Sequence, residues 1–590
     1  MARRARVVAA LALALAGSAQ AQGRDEFVRV TGRHFTVAGE RFRFVGANAS
    51  IMHGPSHRAA ATRTLDAIAD DGLRVVRVWA LGEHPDGADP WTRDYAFRVG
   101  RDGWVEESFV HLDRVLAHAR SRGLRVVVVL ANRRADYGGA PRYLEWAGIS
   151  SPLRGDDALT RFFDEAEARA LYHAHVDRVV TRVNTVTGVA YRDDPTILSW
   201  ELINEGDVPP RSRDVLLRWT QETARFIRAR DPRHLIAAGH IGYTRQAQRD
   251  TWLAVQRLPE VDYADAHAYP TTLRAVRTLA DLDDFIDDHA QLARHVIEKP
   301  FVWGEFGFGT TLRVHRGLPR ARWYDRFLAR ARRDDADGAL VWIYAASQDP
   351  PREHGIFVDP PAQARTRDVR ALLARHAALW RAGTSEDNPR LDPARGAEPL
   401  WPTWRTVTGP GAAGALPRRA GQTVTWSIPP ERYATAASEN IGRWDGFAVM
   451  HVYASGAASF TYRLRVPPSL RALRPGQVRV RARVSSELPG RGEGSGEVDR
   501  SRLRVFLDDL LVDEVLTPLD DGAGRWVEVW RGDERLRNLL RRSGTHTLRL
   551  EVPAGDRANG LCVYGHATGR EPVPAGTGPL PGRVEVVLGP

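Results

Sequence analysis

Cysteine is almost absent from this chain of 590 residues, because Cys562 is the only one. A single cysteine cannot form an internal disulfide, and it excludes both iron–sulfur clusters and zinc sites built from several thiolates. If the protein is exported, its stability must come from its apolar core and not from disulfides.

Lysine is equally rare, since Lys299 is the only one among 84 lysine and arginine residues. The 73 acidic residues leave a formal net charge of +11, and the arginines are spread along the whole chain. A nucleic-acid-binding protein concentrates its basic residues on one face or in one tail. We therefore predict that this protein has no nucleic-acid partner.

Long apolar runs are also missing, so the sequence predicts no transmembrane segment. The apolar residues 7–16 follow three arginines and precede Ala19-Gln20-Ala21. A charged start, a short apolar segment and a small-residue cleavage site together form a secretory signal. We predict that residues 1–21 are a cleavable signal peptide of a secreted or periplasmic bacterial protein, with an uncleaved anchor as the alternative.

The region after this signal alternates between β-rich runs and helical patterns. Several runs, such as Val126-Val127-Val128-Val129-Leu130, are apolar at consecutive positions, as in parallel strands that are buried on both faces. Between them, apolar residues recur at helical spacing. The eight runs are residues 42–47, 75–79, 126–130, 197–202, 235–239, 263–267, 301–303 and 339–344. We predict an α/β fold, a (β/α)8 TIM barrel within residues 22–380, with a doubly wound open sheet as the alternative.

The remainder of the chain has a different pattern. Residues 381–422 are rich in proline and glycine, which predicts a linker. From residue 423 to 590, apolar and polar residues alternate between turn signals, which predicts an all-β sandwich. Its aromatic residues are either core or a carbohydrate-binding surface, and they are Trp426, Trp444, Tyr453, Tyr462, Trp526 and Trp530.

Functional groups of a TIM barrel lie at the carboxyl ends of its strands. Two glutamates, Glu205 after strand 4 and Glu305 on strand 7, would therefore face each other across the barrel mouth. Polar and aromatic side chains follow other strands, and these are Arg77, Trp79, Asn132, Asn204, His267, Tyr269 and Trp342. A pair of carboxyl groups among aromatic rings is the arrangement that glycoside cleavage requires.

The motifs around these glutamates resemble glycoside hydrolase family 5 of clan A, and in particular its endo-β-1,4-mannanases. The resemblance extends over about residues 25–380. It rests on an ordered series of motifs: Asp136-Tyr137-Gly138-Gly139, Trp146-Ala147-Gly148, Thr181-Arg182-Val183-Asn184, Thr187 to Ile197, Trp200-Glu201-Leu202, Asn204-Glu205 and Gly304-Glu305-Phe306-Gly307.

The resemblance implies a role for each matching residue. Glu205 corresponds to the acid/base and Glu305 to the nucleophile of a retaining mechanism, with carboxyl groups about 5–5.5 Å apart. Asn204 corresponds to the residue that binds the 2-hydroxyl, and Arg77 to the one that keeps the nucleophile ionised. His267 and Tyr269 would order the carboxylates, and Trp342 would lie under the sugar at the cleaved bond. Neither a cofactor nor a metal is implied.

Two departures from the mannanase pattern affect substrate binding. Arg133 and Arg134 stand where an aromatic platform is usual, and Gly206 and Asp207 stand where proline and often arginine follow the acid/base. We predict a retaining endo-β-1,4-mannanase that acts on a β-linked polysaccharide or oligosaccharide. The alternatives are a β-glucanase, an exo-acting β-mannosidase, an enzyme for anionic or branched glycans, and a non-catalytic glycan-binding protein. The sequence predicts no oligomeric state.

Overall fold

A computed structural model describes most of residues 26–589. The gaps are residues 85–95, 150–155, 244–245, 270–275, 277, 310–317, 347–353, 383–387, 398–404, 439–440, 445–447, 473–475, 487–499, 520–522, 533, 540–541, 554–559, 570–571 and 574–579. The predicted signal peptide, residues 1–21, lies outside the described residues. The chain divides into two compact units between residues 400 and 401.

The first unit is a barrel of eight parallel strands, which confirms the predicted fold. The strands are β1 (Phe44–Asn48), β2 (Val75–Trp79), β3 (Arg125–Val129), β4 (Ile197–Glu201), β5 (Leu235–Ala237), β6 (Ala264–Ala268), β7 (Phe301–Phe306) and β8 (Gly338–Val341). Hydrogen-bonded neighbours run from β5 through β4, β3, β2, β1, β8 and β7 to β6. Backbone bonds from Asp262 N to Ile236 O (2.9 Å) and from His267 N to Ile241 O (3.3 Å) join the two remaining edges.

Amphipathic helices connect the strands and cover the barrel, because each buries one apolar face against it. Helix α1 has a proline at its first turn, which suits this position because the lost amide N–H has no partner there. The helices of this unit are α1 (Pro55–Asp70), α2 (Glu106–Ser121), α3 (Gly139–Trp146), α4 (Asp156–Asp164), α5 (Ala166–Val180), α6 (Arg213–Arg228), α7 (Gln246–Gln256), α8 (Leu279–Leu292), α9 (Arg320–Arg333) and α10 (Arg367–Arg381).

Apolar side chains close the amino-terminal end of the barrel. A small antiparallel sheet of Arg29–Thr31, His34–Val37 and Glu40–Arg41 precedes β1. Phe35 of this sheet and Phe42 pack in one cluster with buried residues from seven of the barrel strands, among them Val75 and Leu340. This apolar cluster fills the barrel interior at its amino-terminal end, and the predicted site residues lie at the opposite, carboxyl ends of the strands.

The named strands of the second unit pair antiparallel and form two sheets around a shared apolar core. Its strands are β9 (Arg405–Thr408), β10 (Arg418–Ala420), β11 (Thr423–Ile428), β12 (Thr435–Ser438), β13 (Ile441–Trp444), β14 (Val449–Ala454), β15 (Ala458–Val466), β16 (Gln477–Ser485), β17 (Arg502–Leu507), β18 (Leu510–Leu516), β19 (Arg525–Arg531), β20 (Gly544–Val552), β21 (Leu561–Ala567) and β22 (Val584–Gly589). One sheet has the order β9-β12-β15-β20-β17-β18, and the other has the order β10-β11-β22-β16-β21-β14-β13, with β19 also paired to β16. A short helix, α11 (Glu534–Leu539), follows β19.

The start of this second unit falls inside the range that the sequence assigns to a linker. Strands β9 and β10 both lie within residues 381–422. Each has only three or four residues between glycine- and proline-rich turns, so an alternating pattern could not be recognised there. The domain boundaries therefore remain predictions. Within the described part of the chain, no helix is both long enough and apolar enough to cross a membrane.

Candidate active site

The structure brings the predicted site residues together at the carboxyl ends of the barrel strands, with Arg77 at the centre. The Arg77 guanidinium is fully buried and donates to the Glu305 carboxylate (2.7 Å), the Asn204 amide oxygen (2.7 Å) and the Asn48 amide oxygen (2.8 Å). It also donates twice to Glu201, at 2.5 and 2.8 Å. Burial alone would lower the pKa of Arg77, but these carboxylates raise it above its ordinary value. Arg77 therefore remains a fixed positive charge.

Glu305 lies between two hydrogen-bond donors. It accepts from Arg77 on one oxygen and from the Tyr269 hydroxyl (2.5 Å) on the other. Burial raises the pKa of Glu305 above that of an ordinary glutamate, and the nearby Glu205 adds to the rise, whereas His267, Arg77 and Tyr269 oppose it. Hydrogen bonds to a carboxylate favour its ionised form, so the two donors oriented toward Glu305 suit a nucleophile.

Glu205 lies within reach of Glu305 but has different partners. His267 Nδ1 is 3.3 Å from one of its oxygens, and Arg134 donates to the other at 3.0 Å. Burial opposes its ionisation, but His267, Arg134 and Arg133 together lower the pKa of Glu205 to about 2. Its backbone has φ 60°, a left-handed conformation that is rare outside glycine. The substrate-free site therefore holds Glu205 as a carboxylate.

The positive charge around the two glutamates argues against a metal centre. Glu205, His267 and Glu305 each offer one ligand atom, and these atoms lie within 4.8 Å of one another. Such a set could hold a divalent ion. Arg77 and Arg134, however, already place positive charge against both carboxylates. We therefore interpret the cluster as a pair of carboxyl groups for acid–base and nucleophilic chemistry.

Two amides link the carboxylate cluster to the loop after β3. Asn204 accepts from Arg77 through its oxygen and donates to the Asn132 oxygen (3.1 Å) through its nitrogen. Asn132 in turn donates to the backbone oxygen of Asp136 (3.0 Å). These bonds fix the orientation of both side chains, so Asn204 can present a defined group to a substrate.

Aromatic rings form one wall of the site. The rings of Trp79 and Trp342 are 5.9 Å apart, and Trp79 also contacts Tyr137 and His53. Trp79 is buried, whereas Trp342 is partly exposed, as a ring that stacks on a sugar must be. His53 stacks on Tyr137 at 3.9 Å. Neither of these two residues was assigned to the site from sequence: His53 lies in a loop without a recognisable pattern, and Tyr137 was named only as part of the motif Asp136-Tyr137-Gly138-Gly139.

Glu201 is a further buried group whose role the sequence did not predict. It is the last residue of β4 and precedes Glu205 by four positions. Its side chain is 3% exposed and forms the bidentate pair with Arg77. The sequence signal was a charged residue inside an otherwise apolar strand, since such a residue must point into the barrel and find a partner there. Arg77 therefore bonds at the same time to Glu201, which is a structural carboxylate, and to Glu305.

The residues after Glu205 are buried and bonded. The Gly206 N–H donates to Gly239 O at 3.1 Å, a bond that the usual proline could not make. Asp207 accepts from Gln248 (3.2 Å) and lies 3.6 Å from His240 Nε2. Gly206 and Asp207 are therefore bonded to the segment after β5 and to α7, so they occupy a fixed position beside Glu205.

Comparison with known proteins agrees with this geometry. The family described as GH family 5 beta-mannosidase-like matches residues 25–335. The chain belongs to glycoside hydrolase family 5. As a member of that family it is a glycosidase, and the predicted family and enzyme class are confirmed.

Curated relatives and a solved structure are also similar to this chain, over 48–60% of its length. Mannan endo-1,4-beta-mannosidase 5 of Solanum lycopersicum is 31% identical over 307 residues, which cover 48% of this chain and 70% of the relative. Putative mannan endo-1,4-beta-mannosidase 9 of Oryza sativa subsp. japonica is 31% identical over 57% of this chain and 85% of the relative. The crystal structure of the endo-1,4-beta-mannanase from Rhizomucor miehei has 24% identity and a TM-score of 0.51, covers 60% of this chain and 99% of its own, and supports the fold.

Proposed function

We propose that this family 5 enzyme is a retaining endo-β-1,4-mannanase with Glu305 as nucleophile and Glu205 as acid/base. One observation carries the assignment of roles: Glu305 is held by Arg77 and Tyr269, while Glu205, whose ligand atom lies within 4.8 Å, contacts neither. A separation of about 5–5.5 Å between carboxyl groups is typical of retaining enzymes, whereas inverting enzymes need about 6.5–9.5 Å. The mannan substrate is inferred from the relatives that carry this activity in their names.

The reaction proceeds in two displacements. A Glu305 oxygen attacks the anomeric carbon, the bond from that carbon to the leaving oxygen breaks, and this oxygen takes the proton of Glu205. The Glu205 carboxylate then removes a proton from water, the water oxygen attacks the anomeric carbon, and the bond to Glu305 breaks. Both glutamates return to their starting states. Asn204 would bind the 2-hydroxyl, and Trp342 would stack under the sugar.

Substrate preference is testable by measuring reducing-sugar release at pH 5 and pH 7. We expect β-mannan, glucomannan and galactomannan to be cleaved at least about tenfold faster than mixed-linkage β-glucan, because the site distinguishes sugars by hydroxyl contacts. A ladder of oligosaccharides indicates endo-action, and release of mannose alone indicates an exo-acting enzyme. Activity on β-glucan alone would contradict the mannanase proposal, and turnover of none of the four would favour a glycan-binding protein.

A second function concerns the carboxyl-terminal unit, which we propose binds the neutral polysaccharide. Trp426 and Tyr462 are buried in its core, but Trp530 is 61% exposed. Trp526, Glu528 and Trp530 alternate along β19 with Val527 and Val529, which pack against the core, so both tryptophans face outward.

Polar side chains accompany these rings on the neighbouring strands. Arg479 pairs across strands with Trp530, and the Arg481 guanidinium lies 4.7 Å from the Trp526 ring centre. Arg481 also bonds to Glu585 at 2.6 Å. The exposed Trp530 ring can stack on a sugar, and the neighbouring polar side chains can bond to its hydroxyls, which supports a glycan-binding surface.

Replacing Trp530 tests this surface. We expect Trp530→Ala to weaken binding of the full chain to insoluble mannan about tenfold, with unchanged turnover of soluble mannotetraose, because one large exposed ring carries much of such a contact. Pull-down on insoluble mannan measures the binding. Leu416→Ala, an equally exposed apolar truncation in the same unit (64%), serves as the control. Unchanged retention of the Trp530 variant would show that the unit is structural.

Location is the last part of the proposal. The arginine-rich start, the apolar segment and the small-residue site within residues 1–21 support export, and a polysaccharide substrate outside the cytoplasm agrees with it. Sequencing the amino terminus of the mature protein tests this, with Gln22 expected as the first residue.

A further inference from the structure

The bond between Arg134 and Glu205 conflicts with the role of an acid. A general acid must carry a proton when the substrate binds, and a guanidinium 3.0 Å from its oxygen disfavours that proton. Glu205 is almost buried, with 7% of its side chain exposed, whereas 59% of the Arg134 side chain is exposed. Of the two partners, only Arg134 can therefore move into the cleft.

The backbone around Arg134 is held in place. Arg133 N donates to Asn204 O (3.1 Å), and Ala140 N donates to Asn132 O (2.8 Å). Gly139 N donates to the buried Glu83 carboxylate at 3.0 Å, and the Tyr143 hydroxyl donates to the same group at 2.9 Å. The loop is thus fixed at both ends and in its middle, so a change in the Arg134 contact requires only rotation of its side chain.

Several charged groups on different strands and loops surround Glu205. The arginines that face the cluster are Arg77 on β2 and Arg133 and Arg134 after β3, and the facing carboxylates are Glu201, Glu205 and Glu305. His267 on β6 lies between Glu205 and Glu305, and Asp207 is engaged with Gln248 and His240. Protonation of Glu205 therefore removes the negative charge that the Arg134 guanidinium contacts.

We propose that Arg134 determines specificity for a β-linked glycan that carries a carboxylate on a sugar adjoining the cleaved bond. The substrate carboxylate pairs with Arg134 bidentately, Arg134 leaves Glu205, and Glu205 takes a proton from solvent and becomes the acid. A neutral mannan lacks the competing anion, so Arg134 stays on Glu205 and cleavage slows as the pH rises. This inference rests on the proposed function, because it assigns the acid role to Glu205.

The test compares two substrates and three forms of the full chain. The substrates are β-1,4-mannan and the same mannan with part of its primary hydroxyls oxidised to carboxylates. The forms are the unaltered chain, Arg134→Met and Arg142→Met; Arg142 pairs with Glu145 on α3 and with neither catalytic carboxylate, so it is the matched control. Arg134→Lys adds a conservative variant that keeps the charge but loses the guanidinium fork.

We expect the unaltered chain and Arg142→Met to have a kcat/KM about tenfold higher on oxidised than on neutral mannan at pH 7 and low salt. Arg134→Met should lose this preference, and Arg134→Lys should keep part of it. His267, Arg134 and Arg133 all favour the Glu205 carboxylate, and the acid needs its proton, so each of them moves the alkaline limb of the activity on neutral mannan to lower pH. Removing Arg134 should therefore move the alkaline limb of the pH profile to higher pH by about one unit or more.

The outcomes separate the two proposals. An enzyme active on neutral mannan that shows no preference for oxidised mannan, and whose alkaline limb does not move in Arg134→Met, would overturn the inference and leave the mannanase proposal intact. Absence of turnover on both substrates would contradict the proposed function itself. Because Arg134 is mostly exposed, we expect its variants to fold, and a melting temperature equal to that of Arg142→Met verifies this.

Discussion

Glu305→Ala is expected to lower kcat on mannan oligosaccharides by about 10⁴-fold or more, with the fold intact. The variant removes the atom that attacks the anomeric carbon. Arg77 has no free lone pair, and burial raises the pKa of the Tyr269 hydroxyl well above its ordinary value, so neither side chain replaces the carboxylate. Initial rates with mannotetraose and thermal unfolding measure the two effects. Residual activity within about a hundredfold of the unaltered chain would show that the nucleophile is another group.

Glu205→Ala is the matched variant that separates the roles of the two carboxylates. An aryl mannoside with a good leaving group needs no acid, so the Glu205 variant should still form the covalent intermediate while the Glu305 variant should not. Added azide then distinguishes them by product stereochemistry. It should yield the β-mannosyl azide with the Glu205 variant and the α-mannosyl azide with the Glu305 variant, and the reverse assignment of products would exchange the two roles.

The barrel could be predicted from sequence because its strands are buried on both faces. Residues 126–130 are apolar without interruption, and this range is offset by one position from the observed β3, Arg125–Val129. Strand β7 was predicted as residues 301–303 but extends to Phe306. The difference arises at Gly304 and Glu305, where a glycine and a charged residue interrupt the apolar run, because the strand there lines the site and not the apolar core.

Contacts within the site were predictable only where a side chain lies directly on a strand. Arg77, His267 and Glu305 occupy strands, so the barrel geometry alone brings them to one end. Arg134 lies in a loop, where the barrel pattern does not position it, and the chain beyond it has positive φ at Tyr137 (63°) and Gly138 (99°). The sequence indicated that an arginine replaces an aromatic residue there, but not that it contacts the acid/base.

The alternating pattern of the sandwich did not distinguish buried from exposed aromatic residues. An alternation of apolar and polar residues with period two identifies a strand. It does not show which face of the strand is exposed when tryptophans occur on both faces. Trp426 is buried in the core and Trp530 is exposed, although both follow the same alternating pattern. The packing of Val527 and Val529 against the core is what assigns Trp526 and Trp530 to the other face of β19.

Arg77→Met is expected to destabilise the barrel by about 3–5 kcal/mol and to lower kcat by about a hundredfold or more. The substitution leaves the Glu201 and Glu305 carboxylates, which are 3% exposed, without their shared cation. Two buried like charges then repel each other, so Glu305 is protonated more readily and is a weaker nucleophile. Chemical denaturation measures the stability, and steady-state rates across pH measure the change in kcat.

Arg330→Met is the control that separates stability from catalysis in this prediction. Arg330 is also buried and also forms a bidentate pair, with Asp287 at 2.6 Å, but it joins α9 to α8 outside the barrel mouth. We expect it to lose comparable stability and to keep kcat at temperatures where it is folded. Equal losses of kcat in both variants would show that Arg77 acts only through stability, whereas a loss confined to Arg77→Met, with the acidic limb of the pH profile moved to higher pH, shows that it keeps Glu305 ionised.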